Sequence, residues 1–262
     1  MVELPPELER HIFEWAAHIH PGTGPVLMRV SKYVASWIEP ILYEIVIVGV
    51  KSRGSRLSLE ALKKYGRHVR HLLLGDVPNE LTSQYLASCP GTINLGIWTS
   101  RKLNEEAINT LNRLPLERLC IHLDAIFNYK DLLFPQAERI LSAFHKLTHL
   151  DIASDSSPEP ITTCLNLLPK LSHLSLPRDF RNVRETVQKY LQDIPKLKYV
   201  LVVSEGHGSE DYSEDLIMPD DDQRVVRCLV LDFFDDWNRG ARGEKDMWVY
   251  VKEVAEKRSG IL

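Results

Sequence analysis

The chain has 262 residues, 44% of them hydrophobic and 26% charged, with a net charge of -4 at neutral pH. That suits a soluble protein able to bury a sizeable core as one or two domains, and the negative balance argues against general nucleic-acid binding, which needs a basic surface. The longest apolar stretch, 41–50, is interrupted by Glu44 and falls far short of the ~20 residues that span a bilayer, so no membrane partner is expected. The first residues, Met-Val-Glu-Leu-Pro-Pro, lack the basic start and apolar run of a signal peptide. Cys89, Cys120, Cys164 and Cys228 lie far apart without metal-like spacing, which fits reduced thiols in a cytoplasmic or nuclear protein.

In chain order, the prolines of Leu4-Pro-Pro-Glu-Leu8 suit the entry of a helix, and Leu8, Ile12, Phe13, Ala16 and Ile19 follow a helical stripe. Two prolines and two glycines in 20–25 end that helix in a loop. A second stripe uses Leu27, Val30, Val34, Trp37, Ile38 and Ile41 and is expected to break near Pro40. A small helical unit over 1–42 therefore feeds directly into a strand.

From there one spacing recurs. The pattern L-x-x-L-x-L is met at Leu42/Ile45/Ile47, Val69/Leu72/Leu74, Thr92/Leu95/Ile97, Leu116/Leu119/Ile121, Leu147/Leu150/Ile152, Leu171/Leu174/Leu176, Leu197/Val200/Val202 and Val226/Leu229/Leu231. The central residues lie 23 to 31 positions apart. A repeat of that period predicts an α/β fold: a leucine-rich-repeat-like solenoid with a parallel sheet over 43–236. Strands are expected near 44–48, 71–75, 94–98, 118–122, 149–153, 173–177, 199–203 and 228–232. Helical connections are expected at 58–65, 79–88, 104–113, 136–144, 160–168 and 182–194, several of them closed by proline. The long step after Leu119 holds an aromatic insertion, 127–134, read as packing over the helix layer. The segment 51–70 carries seven Lys or Arg against Glu60, whereas 205–222 carries eight acids and no base, so the molecule is expected to be electrically lopsided. At the C-terminus, 237–262 reads as a capping helix, with Met247, Val251 and Val254 on the face that seals the last repeat.

Chemistry is sparse. There is no G-x-S-x-G, H-E-x-x-H or Walker A pattern, and the pairs His18/His20 and His68/His71 have no third ligand nearby. The acidic stretch lacks calcium-loop spacing. No catalytic residue, metal or cofactor is assigned, and the protein is expected not to be an enzyme. If the L-x-L pairs point into the core, the alternate strand residues face the concave side. There Trp98, Arg118, His122, His149, Asp151, His173 and Tyr199 form an aromatic and polar strip of the residue types met at partner-binding surfaces, with His149 stacked beside His173. The same strip could equally lie under a terminal helix.

The N-terminal segment resembles an F-box: L-P-x-E-L at Leu4–Leu8, then Ile12-Phe13, then Val30-Ser31-Lys32. The whole chain resembles fungal F-box-like proteins with irregular leucine-rich repeats, including a closing region with Gly-Ala-Arg-Gly at 240–243 and an aromatic-bearing helix. The resemblance implies that Leu4, Pro5, Leu8, Ile12, Phe13, Val30 and Ser31 face the adaptor subunit of a cullin–RING (SCF-type) ubiquitin ligase, and that the repeats hold an unknown protein substrate. Alternatives are a repeat scaffold with no ligase link, whose N-terminal helices are only a cap, and an enzyme with an unrecognised site.

Overall fold

The structure, a computed structural model, describes residues 4–49, 57–99, 101–126, 144–153, 165–178, 182–206 and 222–258. Among the described residues eight parallel strands form one sheet in chain order, each paired with its sequence neighbour. They are β1 (Ile45–Val48), β2 (His71–Leu74), β3 (Asn94–Ile97), β4 (Arg118–Ile121), β5 (His149–Ile152), β6 (His173–Pro177), β7 (Tyr199–Glu205) and β8 (Val225–Val230). Register follows the repeat: Leu72, Leu95, Leu119, Leu150, Leu174 and Val200 are successive partners along the sheet. All six are buried against one layer of helices, because period-2 alternation sends the L-x-L pair to the same face.

That layer contains α4 (Leu59–Tyr65), α5 (Asn79–Ser88), α6 (Glu105–Leu111), the single turn α7 (Leu123–Ile126) and α8 (Val183–Asp193). Ser58 Oγ accepts from Ala61 N, and Asn104 Oδ1 accepts from Ala107 N, so these polar residues act as helix caps. Asn79 does not cap α5; its amide donates to the Lys102 carbonyl and ties this repeat to the next. The aromatic insertion, most of the connections expected at 136–144 and 160–168, residues 51–56 and most of the acidic stretch lie outside the described residues.

Ahead of β1 stand α1 (Pro6–Ile19), a 3-10 turn (Pro21–Thr23), α2 (Gly24–Leu27) and α3 (Lys32–Leu42). Ala17, Val34 and Ile38 form a small separate core with Phe13, Leu27 and Trp37 packed around it. Pro40 lies inside α3, and the helix continues to Leu42 instead of breaking there. Proline removes one hydrogen bond but leaves the last turn free to carry on.

Two further expectations are corrected. The last strand begins at Val225 rather than 228, paired Val200 to Val225, so Val226, Cys228 and Val230 turn away from the main helix layer. In addition, the C-terminal segment does not simply cap the last repeat. It forms two helices, α9 (Phe233–Ala241) and α10 (Met247–Arg258), folded back over the sheet face opposite the helix layer. The cause lies in β7 and β8, where Leu201, Val203, Val226, Cys228 and Val230 make that face apolar too. Met247, Trp248, Tyr250 and Val251 cover it in a second core. Asp232 Oδ1 caps α9 by accepting from Phe234 N and Asp235 N. Gly240 is required where the end of α9 meets Asp246, since a β-carbon there would stand 2.2 Å from Asp246 Oδ2.

Candidate functional site

Two surfaces carry the residues singled out by sequence, and the structure treats them differently. The first is α1 with the turn that leads into α3. Phe13 and Ala17 face the small core, and Phe13 lies 6.5 Å from the Trp37 ring. Leu8, Ile12, Trp15 and Ile19 instead form a stripe on the outer side, spaced four, three and four residues apart as helix geometry demands. Leu8 is 52% exposed, Ile12 53% and Trp15 68%. Leu4, Val26 and Val30 are also open, and Tyr33 is 76% exposed. Pro5 is exposed beside this stripe. Ser31 caps α3, its Oγ accepting from Val34 N at 3.1 Å. Trp15, Val26 and Tyr33 were not singled out from the sequence; the spacing of Trp15 from Leu8, Ile12 and Ile19 was the available signal.

The second surface is the strip on the sheet. The predicted juxtaposition is present: the His149 and His173 rings stack with centroids 4.0 Å apart at 17°, and Tyr199 lies 5.1 Å beyond His173. The strip is covered, however. Trp98 packs against Phe234 at 4.0 Å and Phe233 at 6.2 Å. Trp248 stands edge-on over His149 at 5.1 Å and over His173 at 6.0 Å. Arg118 reaches the buried carboxylate of Asp246 at 3.1 Å, and Asp246 Oδ1 also accepts from Val249 N to start α10. Asp236 Oδ1 accepts from Met247 N, which fixes the turn between α9 and α10.

Beneath these helices Trp98 Nε1 donates to Cys120 Sγ at 3.2 Å, and the Cys120 thiol donates to Asp151 Oδ2 at 3.0 Å. Burial, and next the charge of Asp151, push the thiol well above its usual range, so Cys120 is held as an unreactive thiol. Burial also raises the Asp151 carboxyl, against the hydrogen bond from Cys120. His122 is half-buried at the end of β4. The cavity left inside this seam is about 30 Å³, room for roughly one water molecule. Among the described residues no group of three His, Cys, Asp or Glu side chains is placed to hold a metal. The strip therefore serves as the polar and aromatic bed of α9 and α10.

Burial lowers the pKa of His149 to about 3, helped by His173 and Arg118, and that of His173 to about 4, helped by Lys198 and Arg118. Both rings are neutral in the folded protein, while in the unfolded chain they take up protons below about 6.5. These two groups therefore contribute stability at neutral pH that is lost progressively as pH falls from about 6.5 to about 4 for His173 and about 3 for His149. Replacing His149 by Phe, which keeps the stack, should flatten that part of the stability curve; denaturant melts at stepped pH check this. An unchanged acid slope in the variant would mean that His149 is not buried neutral.

No protein-family model matches the chain, and no curated protein shows significant similarity to it.

Proposed function

We propose that the protein is a non-catalytic receptor in which an F-box-like helical unit docks on a ubiquitin-ligase adaptor and leucine-rich-repeat-like units form the body that holds a second protein, in cytoplasm or nucleus. The observation that carries this reading is the outward stripe Leu8–Ile12–Trp15–Ile19 together with Val26, Val30 and Tyr33. A small helical unit with its own core has no folding reason to present so many large apolar side chains to water, and an apolar stripe along one helix face marks an interaction surface. Leu4, Leu8, Ile12 and Val30, assigned to the adaptor through the F-box resemblance, belong to it. The titratable groups of the covered strip support a non-catalytic role, since the Cys120 thiol and the neutral histidines are engaged in packing.

A second reading, a repeat scaffold whose N-terminal helices are only an end cap, draws on the contacts of that unit with the first repeat. Tyr43 and Tyr65 stack with centroids 4.2 Å apart, and Glu39 reaches His68 at 3.3 Å and Arg67 at 3.6 Å. These contacts leave the outer stripe untouched, so the two roles are compatible. The double substitution Leu8→Asp with Ile12→Asp separates them. Placing two carboxylates on a docking surface should abolish capture of the adaptor, because burying them unpaired is expensive. In the isolated protein both positions are open, so the circular-dichroism melt should stay within about 0.5 kcal/mol of wild type. Failure of the wild type to capture the adaptor overturns the ligase reading. Global unfolding of the variant identifies the unit as a structural cap.

A further inference from the structure

With the sheet strip covered by α9 and α10, a large concavity remains open elsewhere in the described residues. A cleft of about 850 Å³ opens where three parts of the chain meet: the end of α1 with α3, the starts of β1 to β4, and the turn between α9 and α10. Its volume falls within the ~300–1,000 Å³ typical of ligand sites, and a junction of separately packed units is a usual place for one. Ile19, Ile41 and Ile45 supply aliphatic wall. Glu44, Glu117 and Glu244 supply carboxylates, Glu44 half-buried and the others exposed.

The charge balance of the cleft decides the class of ligand. Of its two arginines, Arg118 is committed to Asp246 at 3.1 Å. Arg242 and the imidazole of His18 are left to set against three carboxylates, none of which has an ion-pair partner among the described residues. His71, bonded to the Asn94 amide at 3.3 Å, adds no positive charge at neutral pH, since burial together with Arg118 and Arg70 lowers its pKa to about 4. A half-buried carboxylate without a partner gains more than an exposed one from a cation brought to it.

We propose that this cleft binds a polypeptide segment presenting a basic side chain next to aliphatic ones, the cation meeting the half-buried Glu44, with Glu117 three strands further along the cleft, and the aliphatic groups meeting Ile19, Ile41 and Ile45. The proposal rests on the receptor reading only in making that segment part of the protein to be captured; the binding itself needs no adaptor.

The test is fluorescence anisotropy on the full chain with short labelled peptides. One carries Lys between leucines, one replaces the Lys by Glu, and one keeps the Lys but replaces the leucines by Gly. The first should bind, with affinity falling as salt is added, and the other two should bind far more weakly. Glu44→Gln with Glu117→Gln should weaken the first peptide about tenfold or more, as expected for losing hydrogen bonds to a charged group. Glu185→Gln, on the exposed side of α8, should change nothing. Equal binding of the three peptides, no binding of the first, or an unchanged affinity in the double variant overturns the proposal. Adaptor capture measured in parallel keeps the two ideas apart: a Glu44/Glu117 variant that still captures adaptor but loses the peptide supports the cleft. Loss of adaptor capture in the Leu8/Ile12 variant with peptide binding intact shows that the two surfaces meet only near Ile19, which ends the stripe and lines the cleft.

Discussion

Replacing Leu174 by Ala should lower the unfolding free energy by about 2–5 kcal/mol, through lost burial together with an unfilled cavity. Leu174 sits on β6, fully buried, with Leu150 and Val200 as its partners on the flanking strands. The neighbouring backbones are held at strand spacing by their hydrogen bonds, so they cannot move in to fill the space. Leu150→Ala should behave in the same way. A denaturant melt measures the loss, and a change below about 0.5 kcal/mol, the level of a neutral surface substitution, would show that the inward register is wrong.

Trp248→Ala should be at least as costly, about 3–5 kcal/mol. Trp248 belongs to the core on the opposite face and bridges two strands through its edge contacts with His149 and His173. Its removal should also bring water to the stacked pair, so the imidazole pKa values rise towards 6.5 as desolvation is relieved. Denaturant melts and an NMR titration of the two rings check both effects. A loss below about 1 kcal/mol with the histidine titrations unmoved would mean that α10 packs elsewhere.

Much of the sheet could be read from the sequence because its signal is redundant: an inward residue at Leu72, Leu95, Leu119, Leu150 and Leu174 sets both strand position and pairing, and slippage by one would expose a whole row of leucines. The pattern loses that power at β8, where Val225 and Val226 are both apolar and both faces are covered. The same double covering is written in the run Tyr199–Val203, which has no polar alternation, and a strand buried on both faces was the reading it called for. On α1 the difficulty was different. Apolar residues occupy two sides of the helix, and periodicity alone does not tell which side packs. Trp37, Val34 and Ile38 decide it by facing Phe13 and Ala17. The cleft was illegible in principle, since its walls come from residues as far apart as Ile19 and Glu244, and no local spacing connects them.

The return of α9 and α10 across the sheet has a consequence for how the chain comes into being on the ribosome. Units that touch only their neighbours can be laid down one after another as the polypeptide emerges. Here Arg118 waits for Asp246, a residue 128 positions later, and the outer face of β7 and β8 waits for Met247, Trp248 and Val251. Until those residues leave the exit tunnel, Leu201, Val203, Val226 and Val230 lie bare on a growing sheet. At roughly 5–20 residues per second the interval lasts seconds, long enough for a chaperone to be recruited or for two nascent sheets to associate. A stop codon just after β8 would therefore yield a product that keeps every strand yet aggregates.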